Sequence, residues 1–179
     1  MFFGVRTLVL IPVFTALPGL IYNFIWNRLV SEMLNRFEGD AGRGPRVEAI
    51  ARQRIAYRNL PLAEEIADVI ELKAVPAGTA LIAQADTDAD FFLIFEGEFN
   101  ILVDGAVVGK RGAGEHVGEI AAIQPELKRT ATVVAKSDAV VGRLNEAVFT
   151  DVGNRHPTVY KAIAQQLAWR LMQQNRPAG

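Results

Sequence analysis

Val117–Ala135 reads VGEIAAIQPELKRTATVVA, and the fold turns on how this stretch is understood. It sets one carboxylate, Glu119, directly after Gly118. It also sets one guanidinium, Arg129, beside the hydroxyl of Thr130, in a loop that runs straight into the alternating strand Ala131–Ala135. A forked arginine together with unpaired backbone amides in a tight turn receives a small anion well, because charge-assisted bonds are the strong ones and successive N–H groups form an anion nest. An ionised carboxylate does the opposite job: it only accepts, so it suits a sugar hydroxyl and repels a phosphate. The pair therefore suits a cyclic phosphodiester of ribose, with Arg129 at one end and Glu119 at the other.

Outward from this stretch the hydrophobic period is that of short strands. Val69–Val75, Ala80–Ala83, Phe91–Phe95, Glu98–Val103 and Ala106–Lys110 are strand-like runs parted by turn residues, and Asp104-Gly105 is a strong hairpin signal. This is the pattern of an all-β roll or barrel. Asp86, Asp88 and Asp90 have the D-x-D-x-D spacing of a calcium loop but lack its glycine and later glutamate, so they read as a solvated turn. Helices flank the strands: Val47–Asn59 and Pro61–Asp68 before them, Asn145–Asp151 and Pro157–Gln174 after the closing strand Ala139–Leu144. In the last helix Val159, Ile163, Leu167 and Leu171 make a buried stripe. Tyr160, Trp169 and Arg170 are the residues there able to stack on or hydrogen-bond to a base, although helix phase alone does not say which of them faces a pocket.

Gly118-Glu119-Ile120-Ala121 followed by Arg129-Thr130-Ala131-Thr132-Val133 resembles the phosphate-binding cassette of cyclic-nucleotide-binding domains. That module is shared by the catabolite activator protein, protein kinase A regulatory subunits and cyclic-nucleotide-gated channels. The resemblance covers roughly residues 60–174 and implies a mainly β fold with flanking α-helices, a β-roll of jelly-roll type closed by C-terminal helices. It also implies a ligand site at Gly118, Glu119, Ile120, Ala121, Arg129, Thr130 and Ala131, with Glu119 on the ribose 2′-hydroxyl and Arg129 on the cyclic phosphate. Cyclic AMP comes first as ligand and cyclic GMP next, since a Thr at the place of Thr130 goes with tolerance of guanine in that family. No metal and no further cofactor is implied. The departures lie at Glu115, His116, Val117 and Lys128, beside the ligand-touching positions.

The totals agree with one domain plus appendages: 179 residues, half of them apolar, net charge −1 and no cysteine. Charge is uneven, with eight Arg against four acidic residues in 1–58. Within that part Thr7–Asn27 carries no charged residue for twenty-one positions, enough for a helix to cross a hydrocarbon core of about 30 Å. It is read as a membrane anchor, with Pro12 and Pro18 allowing a kink and Arg28, Arg36, Arg43 and Arg46 following on the cytoplasmic side. The expected organisation is an anchor and juxtamembrane helix over residues 1–38, a linker over 39–46, and the nucleotide-binding domain over 47–179. The chain would then be single-pass, with its C-terminal domain in the cytoplasm and basic residues near lipid headgroups.

Several outputs are not expected. The sequence offers no length for a helix-turn-helix beyond Gly179, and the acidic C-terminal part lacks a basic face for nucleic acid. No nucleophile or water-activating metal site accompanies Glu119 and Arg129, so catalysis is not expected either. Two readings remain: a membrane-tethered cyclic-nucleotide sensor acting on a larger membrane protein complex, or a structural accessory subunit of such a complex with an unused pocket.

Overall fold

A computed structural model of the chain describes Arg28 and residues 31–174. The eight strands β1 (Glu71–Val75), β2 (Ala80–Ile82), β3 (Phe91–Glu96), β4 (Glu98–Val103), β5 (Ala106–Gly112), β6 (His116–Val117), β7 (Thr132–Ala135) and β8 (Ala139–Leu144) form two four-stranded antiparallel sheets. Their orders are β1-β8-β3-β6 and β2-β7-β4-β5, so the two sheets make a β-roll. The helices are α1 (Gly39–Ala51), α2 (Leu60–Val69), α3 (Glu119–Ile123), α4 (Glu146–Arg155) and α5 (Thr158–Gln174), with a 3₁₀ turn at Arg54–Ala56.

Strand β3 explains the layering. Its side chains alternate between two cores, and both are dry, which is why FFLIF is apolar without a break. Phe92 and Ile94 join Val75, Ile82, Phe99, Val133 and Val141 between the sheets. Phe91, Leu93 and Phe95 join Ile50, Leu62, Ile66, Phe149, Val152 and Ile163 under the helices. Side chains of this size contribute about 1.5–3 kcal/mol each when fully buried, so β3 ties the helices to the roll as well as the two sheets to each other.

The linker expected over residues 39–46 is helical instead. Gly42 is a contact residue: a Cβ there would lie 2.2 Å from the carbonyl carbon of Phe37, so only glycine lets the helix approach the preceding turn. Arg43 grips Asp68 of α2 with both ends of its fork, at 2.7 and 2.9 Å. Phe37 is buried in the helical core, against which Met33 and Leu34 also pack, so these apolar residues ahead of α1 serve this domain's own core. The helix expected over Val47–Asn59 ends at Ala51, and Asn59 instead caps the next one, its side chain accepting from the amide of Leu62 at 3.2 Å. The anchor Thr7–Asn27 lies outside the described residues, and among the described residues no helix is long and apolar enough to cross a membrane.

Candidate functional site

Strand β6 belongs to one sheet and β7 to the other, so the segment between them, residues 118–131, crosses from sheet to sheet over the end of the roll. Gly118 starts the crossing at φ +89°, a conformation side chains of L-residues rarely adopt. A Cβ there would lie 2.5 Å from the Asp90 carbonyl oxygen and 2.9 Å from Arg129 Nη1. Helix α3 then begins, its first internal bond running from the Ala122 amide to the Gly118 carbonyl at 3.2 Å. The amides of Glu119, Ile120 and Ala121 precede that bond and have no acceptor within the helix.

Under this crossing lies a cavity of about 410 Å³. Gly118, Glu119, Ile120, Ala121, Arg129, Thr130 and Ala131 all line it, with Ile82, Ile101 and Val133 from the roll and Leu167, Arg170 and Leu171 from α5. The structure thus brings the whole set expected from the cassette to one place. Arg129 is 4% exposed and Glu119 7% exposed, so each acts at short range in a poorly solvated setting.

Arg129 is held from behind. Nη1 donates to the Gly118 carbonyl at 3.1 Å, Nη2 to the Asp90 carbonyl at 2.7 Å, and Nε and Nη2 to the two oxygens of Asp88. A guanidinium has five N–H groups, and these bonds use four. The second hydrogen on Nη1 is the donor left for a ligand among the described residues. Its backbone is fixed too, the Arg129 amide donating to Asp86 and the Ala85 amide to Arg129, at 2.8 and 2.9 Å. The aspartates lie in an exposed turn, as expected, but two of them also hold arginines. Asp88 clamps Arg129, whose hydrogen bonds hold the Asp88 carboxyl below its ordinary range, while Asp90 takes Arg143 at 2.6 and 3.2 Å. D-x-D-x-D spacing gave no hint of this, because the partners lie 41 and 53 residues away.

Glu119 is engaged as well. Its Oε1 accepts from Nη1 of Arg170, and Arg170 Nη2 donates to the His116 carbonyl at 3.2 Å. Of the three α5 residues expected at a base, only Arg170 reaches the cavity. Tyr160 turns into the helical core, its ring edge-on to Phe149 with centroids 5.9 Å apart and standing where a Cβ on Gly153 would be. Trp169 is 51% exposed and lies under Arg54, 5.5 Å from its guanidinium carbon, outside the cavity. Residues 167, 170 and 171 share one helix face and 169 lies opposite, while Tyr160 falls on the line of 167 and 171 but two turns nearer the N-terminus, beside Phe149 of α4. Sequence reasoning missed Arg111, which lines the cavity from β5.

Behind the cassette His116 is fully buried 5.2 Å from Phe91, and neither ring nitrogen has a hydrogen-bond partner among the described residues. Burial, aided by the charges of Arg170 and Arg111, pushes its pKa down from 6.5 to about 3. The unfolded chain takes up this proton below pH 6.5 and the folded chain only near 3, so between these values the unfolded state binds more protons and stability falls as pH falls. The slope approaches about 1.4 kcal/mol per pH unit. His116→Phe keeps the ring contact and removes the proton site. Urea unfolding between pH 6 and pH 4 should show a flatter pH dependence for this variant, and an unchanged slope would assign the acid sensitivity elsewhere.

The geometry agrees with comparison to known proteins. Residues 72–156 match the model of the cyclic nucleotide-binding domain family. This segment is a cyclic nucleotide-binding domain. The Pycsar effector protein BcPycTIR of Burkholderia cepacia is 39% identical over 144 residues, 80% of this chain and 48% of that one. The chain spans about half the length of the curated relatives it matches. Among solved structures, cAMP-bound PfPKA-R superposes with a TM-score of 0.66 at 18% identity, covering 73% of this chain and 45% of that one. The regulatory subunit of a cAMP-independent protein kinase A from Trypanosoma brucei does so at 0.61 and 23%, covering 73% and 50%. Both likenesses establish the fold of the cyclic nucleotide-binding domain, and one fold serves more than one ligand.

Proposed function

We propose that this protein is a regulatory module that binds a cyclic nucleoside monophosphate, cyclic AMP or cyclic GMP, and reports occupancy through α5. The observation that carries the reading is the convergence of Arg129 and Glu119, ten positions apart, on one cavity that α5 helps to line. In this reading the free Nη1 hydrogen of Arg129 and the first amides of α3 take the cyclic phosphate. Glu119 takes the ribose hydroxyl through the carboxylate, which Arg170 holds in place. The chain's likeness to about half of each of several effector proteins supports a domain whose ligand controls an output carried elsewhere. Binding rather than catalysis is its role. The charge-free run Thr7–Asn27 extends the proposal to a membrane tether and a membrane-protein partner. Alkaline extraction of membranes containing the full chain tests that part, with release into the supernatant as the result against it.

Hydrogen exchange tests the coupling. Cyclic nucleotide should slow exchange in residues 118–123 and also in α5, because Arg170 ties the helix to Glu119. Arg170→Ala should keep the first effect, lose the second and bind about tenfold more weakly, one charge-assisted contact being worth about 1.5 kcal/mol or more. An α5 response that persists in the variant would place the coupling outside this ion pair.

A further inference from the structure

A second cavity, of about 400 Å³, opens between α1 and the end of β3, and no residue lines both it and the nucleotide cavity. Gln53, just past α1, belongs to its wall and is 1% exposed. The Gln53 Nε2 donates to the Ile94 carbonyl at 2.9 Å, which fixes the amide's orientation, because turning it over would set two oxygens against each other. Oε1 is thereby left buried, with no hydrogen-bond partner among the described residues. A buried acceptor without a donor is costly unless something arrives to meet it. What meets Gln53 must bring an N–H or an O–H.

The rest of the wall carries balanced charge. Arg36 pairs with Glu96 at 2.8 Å and Arg52 with Glu48, so two positive and two negative side chains line the cavity. Each pair joins one N–H to one carboxylate oxygen, which leaves most of each guanidinium fork and the second oxygen of each carboxylate to a ligand. A purely anionic ligand would be repelled by both glutamates, and a purely cationic one by both arginines. A ligand that bears both charges is attracted by both members of each pair. Phe37, Phe95, Pro45 and Ala49 add apolar wall beside these groups. An ammonium and a carboxylate on one carbon, with an apolar branch, match the set: the ammonium supplies N–H groups to Gln53 and the glutamates, and the carboxylate takes an arginine fork. The arginine heads are well exposed and water competes for them, so the buried contact at Gln53 does most of the selecting.

We propose that this cavity is a second ligand site, for a free α-amino acid with an apolar side chain. Equilibrium dialysis of the full chain in mild detergent against labelled L-valine, L-leucine, L-methionine and L-phenylalanine tests it, beside the N-acetyl amide of whichever binds tightest. At least one of the four should bind saturably to wild type, and its capped form, which lacks both charges, should bind at least about tenfold more weakly. Gln53→Leu removes the acceptor at similar volume, and Ala49→Leu fills the cavity without touching a polar group. Each should weaken binding at least about tenfold, with the fold of each variant checked by its thermal melt. Absence of saturable binding of all four to wild type overturns the proposal, water alone then answering Gln53. So does a capped form that binds as tightly as the free amino acid, or an affinity left unchanged by both substitutions. None of these results bears on the cyclic-nucleotide reading, which concerns other residues.

Discussion

Replacing Arg129 by alanine should reduce cyclic-nucleotide affinity at least about 100-fold and lower stability by about 2–3 kcal/mol. The first effect follows from losing the charged partner of a poorly solvated phosphate, where hydrogen bonds to a charged group contribute about 1.5–3 kcal/mol each. The second follows from what Arg129 holds behind the site. Without it the carbonyls of Gly118 and Asp90 lose a donor and Asp88 loses its counter-ion. Asp88 is 46% exposed on its side chain, so water recovers part of its loss, which keeps the figure below that for a wholly buried pair. Arg129→Lys separates the two contributions, since it keeps the charge and loses the fork; affinity should recover only in part. Chemical unfolding and ligand titration of the same preparations check both. Alanine affinity within threefold of wild type would place the phosphate elsewhere.

Gly118→Ala should be nearly as damaging through a group that touches the ligand only by its backbone. The left-handed conformation costs an L-residue about 1–2 kcal/mol, and the added Cβ meets the Asp90 carbonyl oxygen, which cannot swing aside as a side chain end would. Relief requires moving the crossing away from β3, which also displaces Arg129 Nη1 and the first amides of α3. The expected result is a fall in Tm of several degrees with affinity down at least about tenfold. Gly114→Ala is the control: its φ is +86° but a Cβ there meets nothing within 4 Å, so it should show the backbone cost with little loss of affinity. Equal losses of affinity in the two variants would mean that the close contact at Gly118 is immaterial.

What the sequence made legible, and what it hid, follows the range of each interaction. The roll was readable because its signals are local: Asp104-Gly105 turns at φ +50° and +80°, as a two-residue hairpin requires, and FFLIF is apolar throughout because β3 is covered on both faces. The pair Glu119 and Arg129 was readable because one crossing segment carries both. Asp88 and Arg111 were not readable as site groups, since each meets the site through a fold contact that no spacing encodes. On α5 the candidates Tyr160, Trp169 and Arg170 could be named but not sorted, because the helix's rotation is set by Val159 and Ile163 docking into the core. The stretch over 39–46 misled because three glycines and a proline ordinarily interrupt a helix, while Gly42 is there for a close approach to Phe37.

Isothermal titration of the full-length chain in mild detergent with cyclic AMP and cyclic GMP, beside Arg129→Ala, tests the central claim most directly. The account predicts saturable binding of at least one of them at one site per chain in wild type, and its loss in the variant. No saturable binding of either nucleotide by a folded wild-type chain, or identical isotherms for wild type and Arg129→Ala, would contradict it.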